Sequence, residues 1–198
     1  MNAHIIDAID SSWTLFLDRD GVINVKKYND YIKNVDEFKF CAGALEAFYM
    51  LENLFAYHIV VTNQQGIGKQ LMSHEDVDEI HRYMIQAIEE SKGHIDQIYY
   101  CADLEGLDSY FRKPNPGMAY SAKEDFPKID FKKSVMVGDS PTDMEFGKKL
   151  GMTTVLVADL YSRADNNTDF VVKSLREFAQ NLIQRDHNLL DEKFISKQ

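Results

Sequence analysis

Cysteine is scarce: Cys41 and Cys101 are the two in 198 residues. They are too few and too scattered for a disulfide framework or a complete four-ligand zinc site, and a reduced compartment is the simpler setting. No apolar run is long enough to cross a membrane. Met1 to Ser12 contains Asp7 and Asp10 and lacks a basic start followed by an apolar stretch, so it does not read as a signal peptide. A cytoplasmic protein is expected. Positive charge is also short, with 22 Lys and Arg against 32 Asp and Glu, a net −10. That balance weighs against a nucleic-acid backbone as main partner, though not against a small phosphorylated ligand in a locally cationic pocket. Repeats, low-complexity tracts and linkers are missing. Residues 1–198 are therefore expected as one domain, with a core over about 13–185 and a frayed tail over 186–198.

What is present is an ordinary soluble composition, 44% hydrophobic and 27% charged, with enough chain for a substantial core. Short apolar runs alternate with helical patterns. Trp13 to Leu17, His58 to Val61, Gln97 to Cys101, Ser134 to Val137, Thr153 to Val157 and Phe170 to Val172 read as strands. Gly43 to Leu54 reads as an amphipathic helix, and a longer one capped by Ser73 buries Val77, Ile80, Met84, Ile85 and Ile88 before Gly93 ends it. Further helices are expected from Pro116 to Phe126, up to Leu150 with Gly151 closing it, and after Ser174. Val25 to Lys39 reads as a loop or flap. This alternation predicts an α/β, three-layer, Rossmann-like fold with a mainly parallel central sheet and no large cap domain.

Chemistry gathers where the strands end. Leu15-Phe16-Leu17 runs into Asp18-Arg19-Asp20-Gly21, placing two carboxylates beyond the carboxyl end of a buried strand. Mutual repulsion would be relieved by Mg²⁺, leaving one carboxylate as nucleophile and the other to move a proton. A solvated acidic turn is the plain alternative. Thr62-Asn63-Gln64-Gln65-Gly66 offers a hydroxyl, an amide and a small nest of backbone N–H groups to phosphate oxygens, or is simply a polar turn. Arg112-Lys113-Pro114 sets two cations beside a residue of fixed φ, and Arg112 suits bidentate phosphate binding, unless the two are simply an exposed basic pair. Gly138-Asp139-Ser140-Pro141-Thr142-Asp143 spaces two carboxylates to face one point, unless Asp139 merely caps a helix.

These four clusters, in this order, resemble the haloacid dehalogenase superfamily of aspartyl-phosphate phosphatases. F-L-D-R-D-G-V-I-N, V-V-T-N-Q-Q-G-I, R-K-P-N-P-G-M and V-G-D-x-x-x-D-M are similar to the branch that holds heptose-bisphosphate and histidinol-phosphate phosphatases, over about Leu15 to Val172. The resemblance implies that Asp18 attacks phosphorus while Asp20 protonates the leaving alcohol and then activates water. It implies a Mg²⁺ site of Asp18, the Asp20 carbonyl and Asp139, supported by Asp143, with Thr62, Asn63 and Lys113 holding phosphoryl oxygens and Arg112 contacting substrate. Many relatives carry a zinc loop of the form C-x-H…C-x-C-R-K-P. Here Cys101 stays, but Asp103, Ser109 and Phe111 stand at the other positions, so no structural zinc is expected. Packing of Leu104, Leu107, Tyr110 and Phe111 is expected to hold that loop.

His58, His74, His81 and His94 show no ligand spacing and read as structural or exposed. Phe38, Phe40, Phe48 and Tyr49 read as core and flap packing. The expected protein is thus a monomeric, Mg²⁺-dependent phosphatase of a small phosphorylated metabolite, with no nucleic-acid or membrane partner. The substrate would be a sugar bisphosphate such as a heptose 1,7-bisphosphate, or histidinol phosphate. A polynucleotide 3′-phosphatase-like end-processing enzyme and a catalytically silent binding protein of the same fold are the alternatives.

Overall fold

The structure, a computed structural model, describes residues 8–158 and 165–184. Six strands form one parallel sheet: β1 Thr14–Leu17, β2 Tyr57–Asn63, β3 Gln97–Cys101, β4 Ser134–Gly138, β5 Thr153–Val157 and β6 Phe170–Val172. Their spatial order is β3-β2-β1-β4-β5-β6. The chain builds outward from β1 in one direction and then returns to its other side, so the order reverses between β1 and β4. Ligands in open parallel sheets bind at that switch point, beyond the carboxyl ends of the strands. Leu17 pairs with Val60 on one side and Val137 on the other, which brings Asp18 and Asp139 out at the same level.

Five helices, α1 Ala44–Leu51, α2 His74–Glu90, α3 Gly117–Asp125, α4 Pro141–Leu150 and α5 over residues 175–184, cover the sheet among the described residues. Alternation along each strand separates two cores. Leu15, Leu17, Val60, Val135 and Val137 point toward α1, α2 and α5, where Phe48, Met84 and Phe178 meet them. Phe16, Ile59, Val61 and Met136 point the other way, against Met118 and Ala122 of α3 and Phe146 of α4. Three layers result, as the alternation predicts.

Local signals set most of the boundaries. Ser73 opens α2 with a capping box to Asp76, and Gly151 closes α4 at a left-handed φ of 79°. Several expectations shift. α1 stops at Leu51, three residues before Leu54, in a turn where Leu54 N donates to Leu51 O. β2 runs on to Asn63, so Thr62 and Asn63 are strand residues held at fixed register by Tyr100 and Cys101. Lys92, not Gly93, takes the left-handed φ after α2, while Gly93 N bonds back to Ile88 O. The flap is tied at its base by Val25 N to Lys39 O at 2.8 Å and by the rings of Phe38, Phe40 and Tyr83. Phe48 is core as expected, but Tyr49 is exposed. The tail over 186–198 lies outside the described residues.

α4 lies close on the sheet because Gly147 has no side chain. A Cβ there would stand 2.6 Å from Thr154 Cγ2 and 3.0 Å from Met136 Cβ, both on buried strands. Overpacking at such a contact costs about 1–3 kcal/mol. Gly147→Val is therefore expected to lower stability by about 3 kcal/mol, read as a lower urea midpoint at unchanged slope.

Candidate active site

The turn after β1 is wound around one carbonyl. Arg19 O accepts from Ile23 N at 2.9 Å and Asn24 N at 3.1 Å, and Gly21 N returns to Asn24 O at 2.7 Å. Gly21 sits at φ +92°, where a Cβ would collide with the Asp139 carboxylate. Glycine is required here twice over, for its dihedral and for the approach of β1's turn to β4's.

Lys113 is the centre of the site. It is 3% exposed, and its Nζ meets Asp18 Oδ1 at 2.8 Å, Asp143 Oδ1 at 2.6 Å and Val61 O at 2.7 Å. Two ammonium protons are thereby hydrogen-bonded, to Asp18 and Val61 O, and Asp143 stands against the same charge as an ion-pair partner. Its backbone is gripped in turn by Asn63, whose Oδ1 accepts from Lys113 N at 3.0 Å and whose Nδ2 donates to Lys113 O at 3.1 Å. Asn63's amide thus acts through Lys113 in this arrangement. Burial works against Lys113's charge, but Asp143 and Asp18 outweigh it and raise its pKa.

The two carboxylates of the first motif are pushed apart. Burial, with repulsion from Asp143, Asp139 and Asp20, outweighs Lys113 and lifts Asp18 to about 7. Burial would also raise Asp20, but the Arg19 guanidinium and hydrogen bonds from Asn24 and Gln64 hold it below the ordinary value. Asn24 Nδ2 donates to Asp20 Oδ1 at 2.9 Å and Gln64 Nε2 to Asp20 Oδ2 at 2.9 Å. Arg19 is wholly buried, and its Nη2 lies 3.0 Å from Asp20 Oδ2. The same Nη2 donates to Gln64 Oε1 at 3.1 Å, and Nη1 faces His81 Nε2 at 3.2 Å.

Asp18, Asp139 and Asp143 bring carboxylate oxygens within 4.8 Å of one another. Ligands of a Mg²⁺ with bonds of about 2.0–2.1 Å stand about 2.9 Å apart when neighbouring and about 4.2 Å when opposite, so the three carboxylates would draw closer around a bound ion. All-oxygen donors suit that ion. Lys26 from the flap meets this acidic edge, its Nζ 2.9 and 2.7 Å from the two oxygens of Asp139. Asp143 is held by the helix cap, its Oδ2 accepting from Ser140 N at 3.1 Å and Ser140 Oγ at 2.6 Å. Ser140, not Asp139, is therefore the cap, and Asp139 faces the site.

Thr62 lines the cleft, its Oγ1 accepting from Gln64 Nε2 at 2.9 Å. Arg112 lines it too and donates to Asp103 O at 3.1 Å. The cleft encloses about 280 Å³ and also meets Lys26, Lys27 and Tyr31 of the flap. Every residue expected at the site is therefore in one place. The expected nest is reduced, because Gln64 N is bonded to Cys101 O at 2.7 Å. The 102–111 loop also differs: Leu107, Tyr110 and Phe111 are exposed, and polar bonds hold it instead. Ser109 Oγ donates to Asp103 Oδ2 at 2.5 Å and lies 3.7 Å from Cys101 Sγ, and Asn115 Nδ2 donates to Ser109 O at 2.8 Å. Arg19, Asn24, Gln64 and Lys26 were missed. Arg19 inside D-R-D was the available signal, since a cation between two carboxylates has partners at hand.

The HAD-hydrolase-like family model matches residues 110–178. The D-glycero-alpha-D-manno-heptose-1,7-bisphosphate 7-phosphatase of Campylobacter jejuni is 34% identical over 175 residues, 87% of this chain and 96% of the relative. The D-glycero-beta-D-manno-heptose-1,7-bisphosphate 7-phosphatase of Salmonella typhi is 34% identical over 174 residues, 82% of this chain and 91% of the relative. Among solved structures, the D,D-heptose 1,7-bisphosphate phosphatase of B. bronchiseptica, complexed with magnesium and phosphate, superposes with TM-score 0.79 at 27% identity, over 87% of this chain and 98% of that one.

His81 is buried against Arg19, and burial first, then the guanidinium, pushes its imidazole down to about 3. Below about pH 6.5 the unfolded chain therefore takes up a proton that the folded chain refuses, so stability falls with pH from 6.5 toward 3. His81→Gln keeps an acceptor for Arg19 and removes the titration. Between pH 6.5 and 5 it is expected to lose about 2 kcal/mol less stability than the wild type, measured by urea unfolding at each pH.

Proposed function

This chain belongs to the haloacid dehalogenase-like phosphatases, hydrolases of phosphoric monoesters, and from that premise we propose that it is a Mg²⁺-dependent heptose-1,7-bisphosphate 7-phosphatase. The Lys113 bridge between Asp18 and Asp143 carries the chemistry. It places a carboxylate oxygen and a fixed cation together at the mouth of the sheet, where a phosphoryl group would be flanked by Thr62 and Arg112. The names of the relatives supply the sugar and the phosphate removed.

Asp18 attacks phosphorus, and the bond to the sugar oxygen breaks as an aspartyl-phosphate forms. Asp20 gives its proton to the departing oxygen and then takes one from the water that hydrolyses the acyl phosphate. Arg19 holds Asp20 low, and a phosphate dianion arriving beside it raises it toward the protonated form. Asp18, Asp139 and the Asp20 carbonyl would hold Mg²⁺, with Asp143 behind them, and that ion supplies neutralisation of phosphoryl charge. Asn63 positions Lys113, and Lys113 with Arg112 attracts the phosphate. The flap and the 102–111 loop shape the sugar's side of the cleft.

Phosphate release with Mg²⁺ tests this across both anomers of the heptose bisphosphate, histidinol phosphate, common sugar phosphates and a 3′-phosphorylated oligonucleotide. One heptose anomer is expected to exceed every other ester by orders of magnitude in kcat/KM. Preference for another ester refutes the substrate and keeps the chemistry. Chelation should silence the enzyme reversibly. Asp18→Asn should abolish turnover in a chain that still folds, and near-normal activity in that variant refutes covalent catalysis.

A further inference from the structure

The opposite rim of the sheet carries a second convergence of ligand atoms. His58 lies near the amino end of β2, about 16 Å along the strand from Asn63. Its Nδ1 stands 3.0 Å from His94 Nε2, and His94 Nε2 stands 3.2 Å from Asp96 Oδ2. His94 and Asp96 come from the connection between α2 and β3, which explains why no short spacing announced the cluster: His58 and His94 are 36 positions apart.

We propose that His58 Nδ1, His94 Nε2 and the Asp96 carboxylate form a Zn²⁺ site, occupying three corners of a tetrahedron with the fourth open to water. Neighbouring ligands on Zn²⁺, with bonds of about 2.0–2.1 Å, stand about 3.3–3.4 Å apart, close to the spacings found here. Two imidazoles and one carboxylate are a donor set that this ion favours.

The surroundings orient the ligands. Glu52, just beyond α1, accepts from His94 Nδ1 at 2.6 Å. Its carboxylate draws the proton to Nδ1 and leaves the Nε2 lone pair for a cation, the usual outer partnership of a metal-bound histidine. Asp96 Oδ2 is steadied by His58 N at 2.7 Å. His58 is fully buried, and among the described residues its Nε2 has no hydrogen-bond partner, while its Nδ1 faces His94. His94 and Asp96 remain 33% and 25% exposed in their side chains, giving an ion a route in. Bound there, it would tie α1's end and the α2–β3 connection to β2. This departs from the expectation of no structural zinc, which rested on the 101–111 loop and on the absence of ligand spacing among the histidines.

The test is a titration of metal-stripped protein with Zn²⁺, and with Co²⁺ as a spectroscopic probe, in excess Mg²⁺ to occupy the catalytic carboxylates. Wild type and Asp18→Asn should each take up one equivalent, with nitrogen-ligated Co²⁺ absorption and a raised Tm. His94→Ala and Asp96→Asn should lose both effects. Glu52→Gln, which leaves every proposed ligand in place, should bind about 10–100-fold more weakly. Uptake lost in Asp18→Asn and kept in His94→Ala would place the ion among the catalytic carboxylates and overturn the proposal, as would no uptake by a folded wild type. Catalytic failure of Asp18→Asn leaves this result untouched, so the two readings fail separately.

Discussion

Four carboxylates, those of Asp18, Asp20, Asp139 and Asp143, are held at one edge of a sheet, and their mutual repulsion is the constraint around which the molecule is arranged. A buried lysine answers it. Hydrogen-bonded to Asp18 and Val61 O and ion-paired with Asp143, Lys113 joins β1, β2 and the start of α4 into one electrostatic unit. Loss of that cation would leave two buried anions without a counter-charge, a change usually strongly destabilising. Stability and chemistry therefore draw on the same contacts, and the Asn63 clasp on the Lys113 backbone supports both.

Asp18 and Asp20 show how two identical side chains two residues apart acquire opposite characters. Asp18 has three acidic neighbours and one lysine, while Asp20 has a wholly buried guanidinium and two amide donors. Pairs of titratable groups driven apart in this way suit a division between an attacking group and a proton carrier, the roles proposed for them above. Arg19 achieves this from within the motif itself, because the turn after β1 sets its guanidinium against the next carboxylate. Its carboxylate partner faces the cleft while its own head turns inward to Gln64 and His81.

Much of this was legible because its determinants are local. Apolar runs of four or five residues marked the strands, and the parallel topology then obliged their carboxyl ends to meet, which collected Asp18, Thr62, Lys113 and Asp139. Caps could be read at Ser73 and Gly151. What stayed hidden depends on distant partners. The orientation of Asp20 relies on Gln64, 44 residues away, and Lys26 reaches Asp139 across 113. The His58–His94–Asp96 cluster joins segments with no common pattern. In the 102–111 loop, apolar residues suggested packing, yet the loop is too exposed to bury them and polar bonds took over.

That loop has a consequence of its own. A metal knuckle has a rigid, nearly all-or-none geometry: ligands are lost together, and drift in any of them is punished. A web of a thiol, a hydroxyl, a carboxylate and an amide degrades gradually, one bond at a time. Around Ser109 the chain is thus free to vary in small steps without collapse of the neighbouring Arg112 and Lys113. The wall of the cleft becomes an adjustable surface set on a rigid floor of buried ion pairs.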